Sequence, residues 1–182
     1  MNTYLDHAAT TPLLDCARDA MVGALGSTGN ASSLHRAGRA SRRRVEESRE
    51  VIAAAIGVTP SEVIFTAGGT EADNLAVKGL WWARHGQDPT RRRVLASRIE
   101  HHAVLDPVHW LGEHEGAQVV WLDVDSEGRV DPAQIRAELE AYPGQTALVA
   151  VMWANNEIGT VQPIGEIAAA CAAAGVPLHV DA

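Results

Sequence analysis

The run from Thr146 to Trp153, TALVAVMW, is apolar at nearly every position. Successive side chains of a strand point to opposite faces, so a strand wet on one face alternates, whereas one without alternation is covered on both. That requirement selects an α/β architecture, a mostly parallel sheet sandwiched by helices. The flanking pattern agrees. It predicts a helix over 12–25 after the YLD segment and a long helix over 33–56 closed by Gly57. It then predicts strand 62–66, helix 70–85, strand 93–97, helix 102–114, strand 117–122, and a helix capped by Asp131 with Pro132 in its first turn. Strand 146–153 and helix 163–174 precede VPLHVD. With no internal repeat, low-complexity tract or linker, one domain is the simplest count.

Composition narrows the function. The 182 residues carry 15 basic and 23 acidic side chains, a formal net charge of -8, which argues against a general nucleic-acid binder. The short basic run Arg42–Arg44 is followed by Glu46, Glu47 and Glu50 at helical spacing, the pattern of a solvated, internally paired helix face. Cys16 and Cys171 are far apart and lack CxxC spacing, so no disulfide framework or zinc site is expected, and both read as small buried hydrophobes of a reducing compartment. The start MNTYLDHAATTP has neither the basic opening nor the apolar stretch of a secretory leader, and no run has the length of a membrane span, so a cytoplasmic location follows by default.

Chemistry enters at residues 66–74, TAGGTEADN, where Val63, Ile64 and Phe65 give way through two glycines to a helix. Amides at a helix start have no partner inside the helix, and the aligned peptide dipoles leave partial positive charge there, so a small dianion is stabilised. Gly68 and Gly69 let the chain approach an anion closely, and Thr70 adds a hydroxyl, although a tight turn with a threonine cap explains the same residues. The spacings GxxxxGK[ST] and GxGxxG do not occur, so a single phosphate monoester suits this cup better than a nucleotide.

In open α/β sheets, sites lie beyond the carboxyl ends of the strands. Thr70, His101, Asn156 and Asp181 all fall there. Glu100, His101 and His102 are consecutive and cannot easily converge on one ion, so no metal site is expected; one of the two histidines is expected to face the pocket. His179 and Asp181 share a face by the period of two, although His179 also reads as a satisfied core histidine.

Together YLDHAATTP (4–12), GNASSLHRAG (29–38), EVIFTAGGTEADNLAVKG (62–79), EHHAVLD (100–106), NNEIGTVQPI (155–164) and HVDA (179–182) resemble the cysteine desulfurases, pyridoxal 5'-phosphate enzymes of the class V aminotransferase group. The resemblance runs from residue 4 to the last residue. It implies the large cofactor-binding domain of fold-type I pyridoxal-phosphate enzymes, with Gly69 and Thr70 on the phosphate. It further implies that His101 stacks on the cofactor ring and handles protons, that Asn156 bonds the ring hydroxyl, and that Asp181 pairs with the pyridine nitrogen. A carboxylate beside that nitrogen favours its protonated form and keeps the ring an electron sink. The implied reaction takes sulfur from L-cysteine, leaving L-alanine and an enzyme persulfide. Its implied partners are a sulfur acceptor, such as an iron-sulfur scaffold or a thiolation enzyme, and a second copy in a homodimer, with no nucleic acid and no membrane. Selenocysteine lyases, other class V members and a non-catalytic cofactor-pocket scaffold share parts of this motif set.

Two parts of the family pattern have no counterpart. Lys78, the sole lysine, lies eight residues past Thr70, about 12 Å along a helix, too far to hold the cofactor covalently at the cup, and reads as solvated. Neither Cys16 nor Cys171 matches the family's loop nucleophile. The expectation is therefore an N-terminal segment plus part of the large domain. The rest of that domain and a small C-terminal domain would lie outside it, leaving the chain inactive and prone to associate by itself.

Overall fold

The computed structural model describes residues 3–7 and 10–182, so Ala8 and Ala9 of the 4–12 motif lie outside the described residues. The chain divides into two compact units, residues 1–65 and 66–182, where the sequence alone suggested one domain.

The first unit holds helix α1 (Asp15–Leu25), helix α2 (Arg36–Ile56) and a 3-10 turn (Pro60–Glu62). Both helices start later than the pattern suggests. His35 caps α2, its ring accepting from the Gly38 amide, and Gly57 ends it at φ 75°, a left-handed conformation open to glycine. Gly38 is needed for a different reason: a Cβ there would meet the Ser33 carbonyl oxygen at 2.3 Å. The basic run is not internally paired as expected. Arg44 bonds the Ser27 hydroxyl at 3.1 Å, and Glu46 pairs with Arg49 at 3.2 Å. Cys16 is exposed on α1, contrary to its reading as buried, because α1 buries none of its residues.

Residues 63–66 form no strand. A strand requires a neighbouring ladder, and none flanks this segment among the described residues; the Arg49 guanidinium bonds the Val63 carbonyl instead, and Ile64 and Phe65 stand 66% and 48% exposed.

The second unit is the sandwich. Helix α3 (Gly69–Gln87), strand β1 (Arg93–Ser97), helix α4 (His102–His114), strand β2 (Gln118–Leu122), helix α5 (Pro132–Ala141), strand β3 (Thr146–Ala150), helix α6 (Ile164–Ala173) and strand β4 (Leu178–His179) follow in order. All pairings are parallel, in the order β2-β1-β3-β4. Every residue of β1 and β3 is buried, as the lack of alternation requires. Val94, Ala96, Leu148 and Ala150 pack with Val77 and Trp81 of α3 and with Val104, Val108 and Leu111 of α4. Leu95 and Val149, one residue out of phase, pack with Ile135 and Leu139 of α5 and with Ile167 and Cys171 of α6. Strand β3 stops at Ala150, three residues short of the apolar run, because the chain then turns into the loop carrying Asn155 and Asn156. None of the described helices is long and apolar enough to cross a membrane.

Candidate functional site: the carboxyl edge of the sheet

From β1 the connections run to β2 on one side and from β3 to β4 on the other, so the crevice at their carboxyl ends is the topological switch point. Glu100 and His101 leave β1 there, Asn155 and Asn156 leave β3, and Asp181 follows β4.

The cup lies at the start of α3, where Ala67, Gly68, Gly69, Thr70, Glu71 and Asn74 line a concavity. The Ala72 amide makes the helix's first bond, to the Gly68 carbonyl at 3.1 Å, leaving the amides of residues 69–71 in the unpaired first turn. A carboxylate already takes one donor next to them, as Glu71 accepts from the Ala67 amide at 2.6 Å. A Cβ built on Gly68 or Gly69 meets nothing within 4 Å, so the space before these amides is open to an incoming anion.

His101 caps α4, its Nδ1 accepting from the Ala103 amide at 3.1 Å. That bond makes Nε2 the protonated nitrogen of a neutral ring, and the ring is exposed. Its neighbour His102 instead turns to Asp106, at 3.3 Å, so His101 is the histidine free to meet a ligand. In the next loop the two asparagines divide the work. Asn155 Oδ1 accepts from the amides of Glu157 and Ile158, and its Nδ2 donates to the Ile99 carbonyl at 2.8 Å. The exposed Asn156 has no side-chain hydrogen bond among the described residues. Asp181 is half-buried, anchored through its carbonyl, which accepts from the Trp153 amide at 2.8 Å.

Three residues were missed as parts of this edge. Glu100 is 5% exposed; one oxygen accepts from the Met152 amide at 2.8 Å, and Oε2 has no partner. Burial, with repulsion from Asp181 and Asp73 added, pushes its carboxyl up to about 7 against the pull of the Met152 amide. Asp73, 5% exposed, meets His179 Nε2 at 3.1 Å. Burial raises its pKa first and Asp181 raises it further, while His179 and His101 pull it down. Asp73 was legible: it heads the buried stripe Asp73, Val77, Trp81 of α3, where the helical period calls for an apolar residue. Asn155 carries no signal separating it from Asn156.

Lys78 is not solvated as expected; its Nζ lies 4.4 Å from the centre of the Trp110 ring. Cys171 is buried in α6, and burial pushes its thiol up to about 11, so it is no nucleophile near neutrality.

A glycine-lined concavity on a helix start and a carboxylate beyond β4, both at the carboxyl edge of a parallel sheet, define an open α/β fold of the kind that binds ligands at its switch point. The chain belongs to the class-V aminotransferase family, whose model matches residues 3–182. That family and its NifS-like and IscS-like members depend on pyridoxal phosphate. Among its homologues are an "IscS-like cysteine desulfurase" of Mycobacterium tuberculosis, 56% identical over 98% of this chain and 45% of that protein, and a "Cysteine desulfurase IscS" of Dictyoglomus turgidum, 44% identical over 98% and 44%. Of solved structures, a "NifS-like protein" matches at TM-score 0.89 and 32% identity, over 100% of this chain and 49% of that one. "SspA in complex with cysteine" matches at 0.88 and 34%, over 100% and 50%. The chain thus spans about half the length of the relatives it matches.

Proposed function

We propose that this chain is the cofactor-grasping part of a cysteine desulfurase, an enzyme that removes sulfur from L-cysteine to give L-alanine and a persulfide for a sulfur-accepting protein. The observation that carries the reading is the pairing of two unlike ends: an open helix start for a dianion, and Asp181 beyond β4 for a cation. Pyridoxal phosphate is dianionic at its ester and cationic at its ring nitrogen, and so fits both. The names of the homologues support the sulfur chemistry.

In this reading the amides of residues 69–71 and the Thr70 hydroxyl bind the phosphate, with Gly69 allowing close approach. Asn156 donates to the ring hydroxyl. Asp181 would hold a proton on the ring nitrogen, and the exposed His101 ring would lie against the cofactor, with its Nε2 available to handle a proton of the amino acid. Bound, the cofactor supplies an electron sink for the pair left at the substrate's α-carbon. The amine that anchors the cofactor and the sulfur nucleophile are not assigned to this chain, since Lys78 is held on Trp110, Cys16 lies within helix α1 and not on a loop, and the Cys171 thiol is buried.

Adding pyridoxal phosphate to the chain and following tryptophan fluorescence tests the grip. Binding is expected to saturate, to weaken about tenfold or more in Asp181→Ala, and to leave no visible absorption band after dialysis. A retained band would show that Lys78 captures the aldehyde and overturn its assignment; absence of saturable binding would overturn the cofactor reading. For the reaction, a polypeptide joining these 182 residues to an anchoring lysine and a loop cysteine is expected to release alanine from L-cysteine.

A further inference from the structure

We propose that Asp73 and His179 form a positioning strut between α3 and β4 that sets the distance from the phosphate cup to Asp181. The inference rests on the cofactor reading above. A substituted pyridine is rigid, so its phosphate and its ring nitrogen stand at a fixed separation. The two protein groups that would meet those ends belong to elements more than 100 residues apart in sequence, and something must hold them at the matching span.

The Asp73–His179 bond is built for that task. Asp73 lies one turn inside α3, directly beneath Gly69 and Thr70, and His179 lies two residues before Asp181. Among the described residues theirs is the sole side-chain hydrogen bond joining α3 to β4. Asp73 is buried and His179 largely covered, with side-chain exposures of 7% and 12%. A carboxylate replacing an apolar residue at the head of a core stripe costs stability unless paired, and a well-packed hydrophobe would fill the position as well or better. Packing therefore does not account for Asp73. Its bond does more than satisfy itself: an ionised Asp73 can only accept, so His179 must present Nε2–H, which fixes the ring and with it the extended segment that ends in Asp181. The charged or titratable groups facing Asp73 are Asp181, His179 and His101, and Glu100 also lies within reach of its charge.

A structural role and a positioning role separate in Asp73→Leu. If Asp73 only fills space, leucine keeps both stability and affinity. The strut predicts that Asp73→Leu keeps or gains stability in urea yet loses pyridoxal phosphate affinity about tenfold or more, because a binding group misplaced by about 1 Å no longer matches a rigid ligand. Affinity for inorganic phosphate, which touches the cup alone, should stay within about threefold. Asp73→Asn retains an acceptor at the same place and should bind pyridoxal phosphate within about threefold of the unaltered chain. Ring-nitrogen NMR of His179 should show the Nε2–H tautomer in the unaltered chain and lose that preference in Asp73→Leu. Should Asp73→Leu fail to fold, His179→Phe reads the same strut from β4. Equal pyridoxal phosphate affinity in Asp73→Leu, or a parallel loss for inorganic phosphate, overturns the strut alone. If the unaltered chain binds inorganic phosphate but no pyridoxal phosphate, the cofactor reading falls and takes the strut with it.

Discussion

A carboxyl that is 5% exposed, with one oxygen on a backbone amide and the other unpartnered, is costly to ionise. Glu100 is such a group, and its raised pKa has a consequence for stability. Below about pH 4.5 the folded and unfolded chains both hold the proton. Between that value and about 7 the folded chain holds a proton that the unfolded chain has lost, so stability falls as pH rises through the window and levels off above it. Full expression of the shift corresponds to about 3 kcal/mol, and Asp73 adds to the same slope at its own, also raised, pKa. Urea denaturation at half-unit intervals from pH 4 to 8 should show this decline, and Glu100→Gln should flatten most of it whatever its effect on absolute stability. A slope unchanged by the substitution would mean that Glu100 is ionised throughout. At this scale the sequence pointed to His101, Asn156 and Asp181 because each lies in the segment that follows a strand. It marked Asp73 only as a polar residue at an apolar position of the α3 stripe, and it withheld the role of Glu100, which depends on which neighbours the fold brings to it. It misjudged Lys78 and Cys16 for the same reason: the Trp110 ring and the lack of cover over α1 are tertiary facts.

Among elements, those whose boundaries have a local cause were legible to the residue. Asp131 accepts from the Ala133 amide and Pro132 sits in the first turn of α5; His101 stops β1's loop and starts α4. The strand expected at 62–66 fails because its apolar triplet supplies β propensity but no neighbour, and a ladder is a property of two segments. The contrast with β3 is measurable. Leu148 is wholly buried between the sheet and α3 and α4, so Leu148→Ala should cost about 2–5 kcal/mol through lost transfer energy and a residual cavity. Ile64 is 66% exposed and belongs to no ladder, so Ile64→Ala should change stability by no more than about 0.5 kcal/mol. Denaturant midpoints at unchanged slope would read both. A large loss in Ile64→Ala would show that residues 63–66 are packed in solution after all.

Across the whole molecule, apolar surface is distributed unevenly. Of the 21 large hydrophobic side chains that stand exposed among the described residues, 15 lie in residues 4–65. They include Leu13, Leu14, Met21, Val22 and Leu25 around α1 and Val51, Ile52 and Ile56 on α2. Neither of the two hydrophobic core clusters draws a residue from this unit, whereas the sandwich of residues 66–182 contains both. Helix α1, 11 residues long and without a buried residue, gains little from tertiary packing, and isolated helices shorter than about 12–15 residues are marginal in water. The two units should therefore differ in protection. Amides of β1 and β3 are expected to exchange through the slowest openings of the molecule, and those of α1 at close to the rate of unstructured chain. The same exposed side chains set solution behaviour, because burying them against any other apolar surface recovers about 25 cal/mol per Å². The chain should sediment with a mass that rises with concentration and should bind a hydrophobic dye when dilute. Substituting Leu14, Val22 and Leu25 of the α1 region together by Gln should reduce both effects, while the exchange protection of β1 and β3 stays unchanged. A concentration-independent monomer, protected along α1 as strongly as along β3, would contradict this account of the first unit.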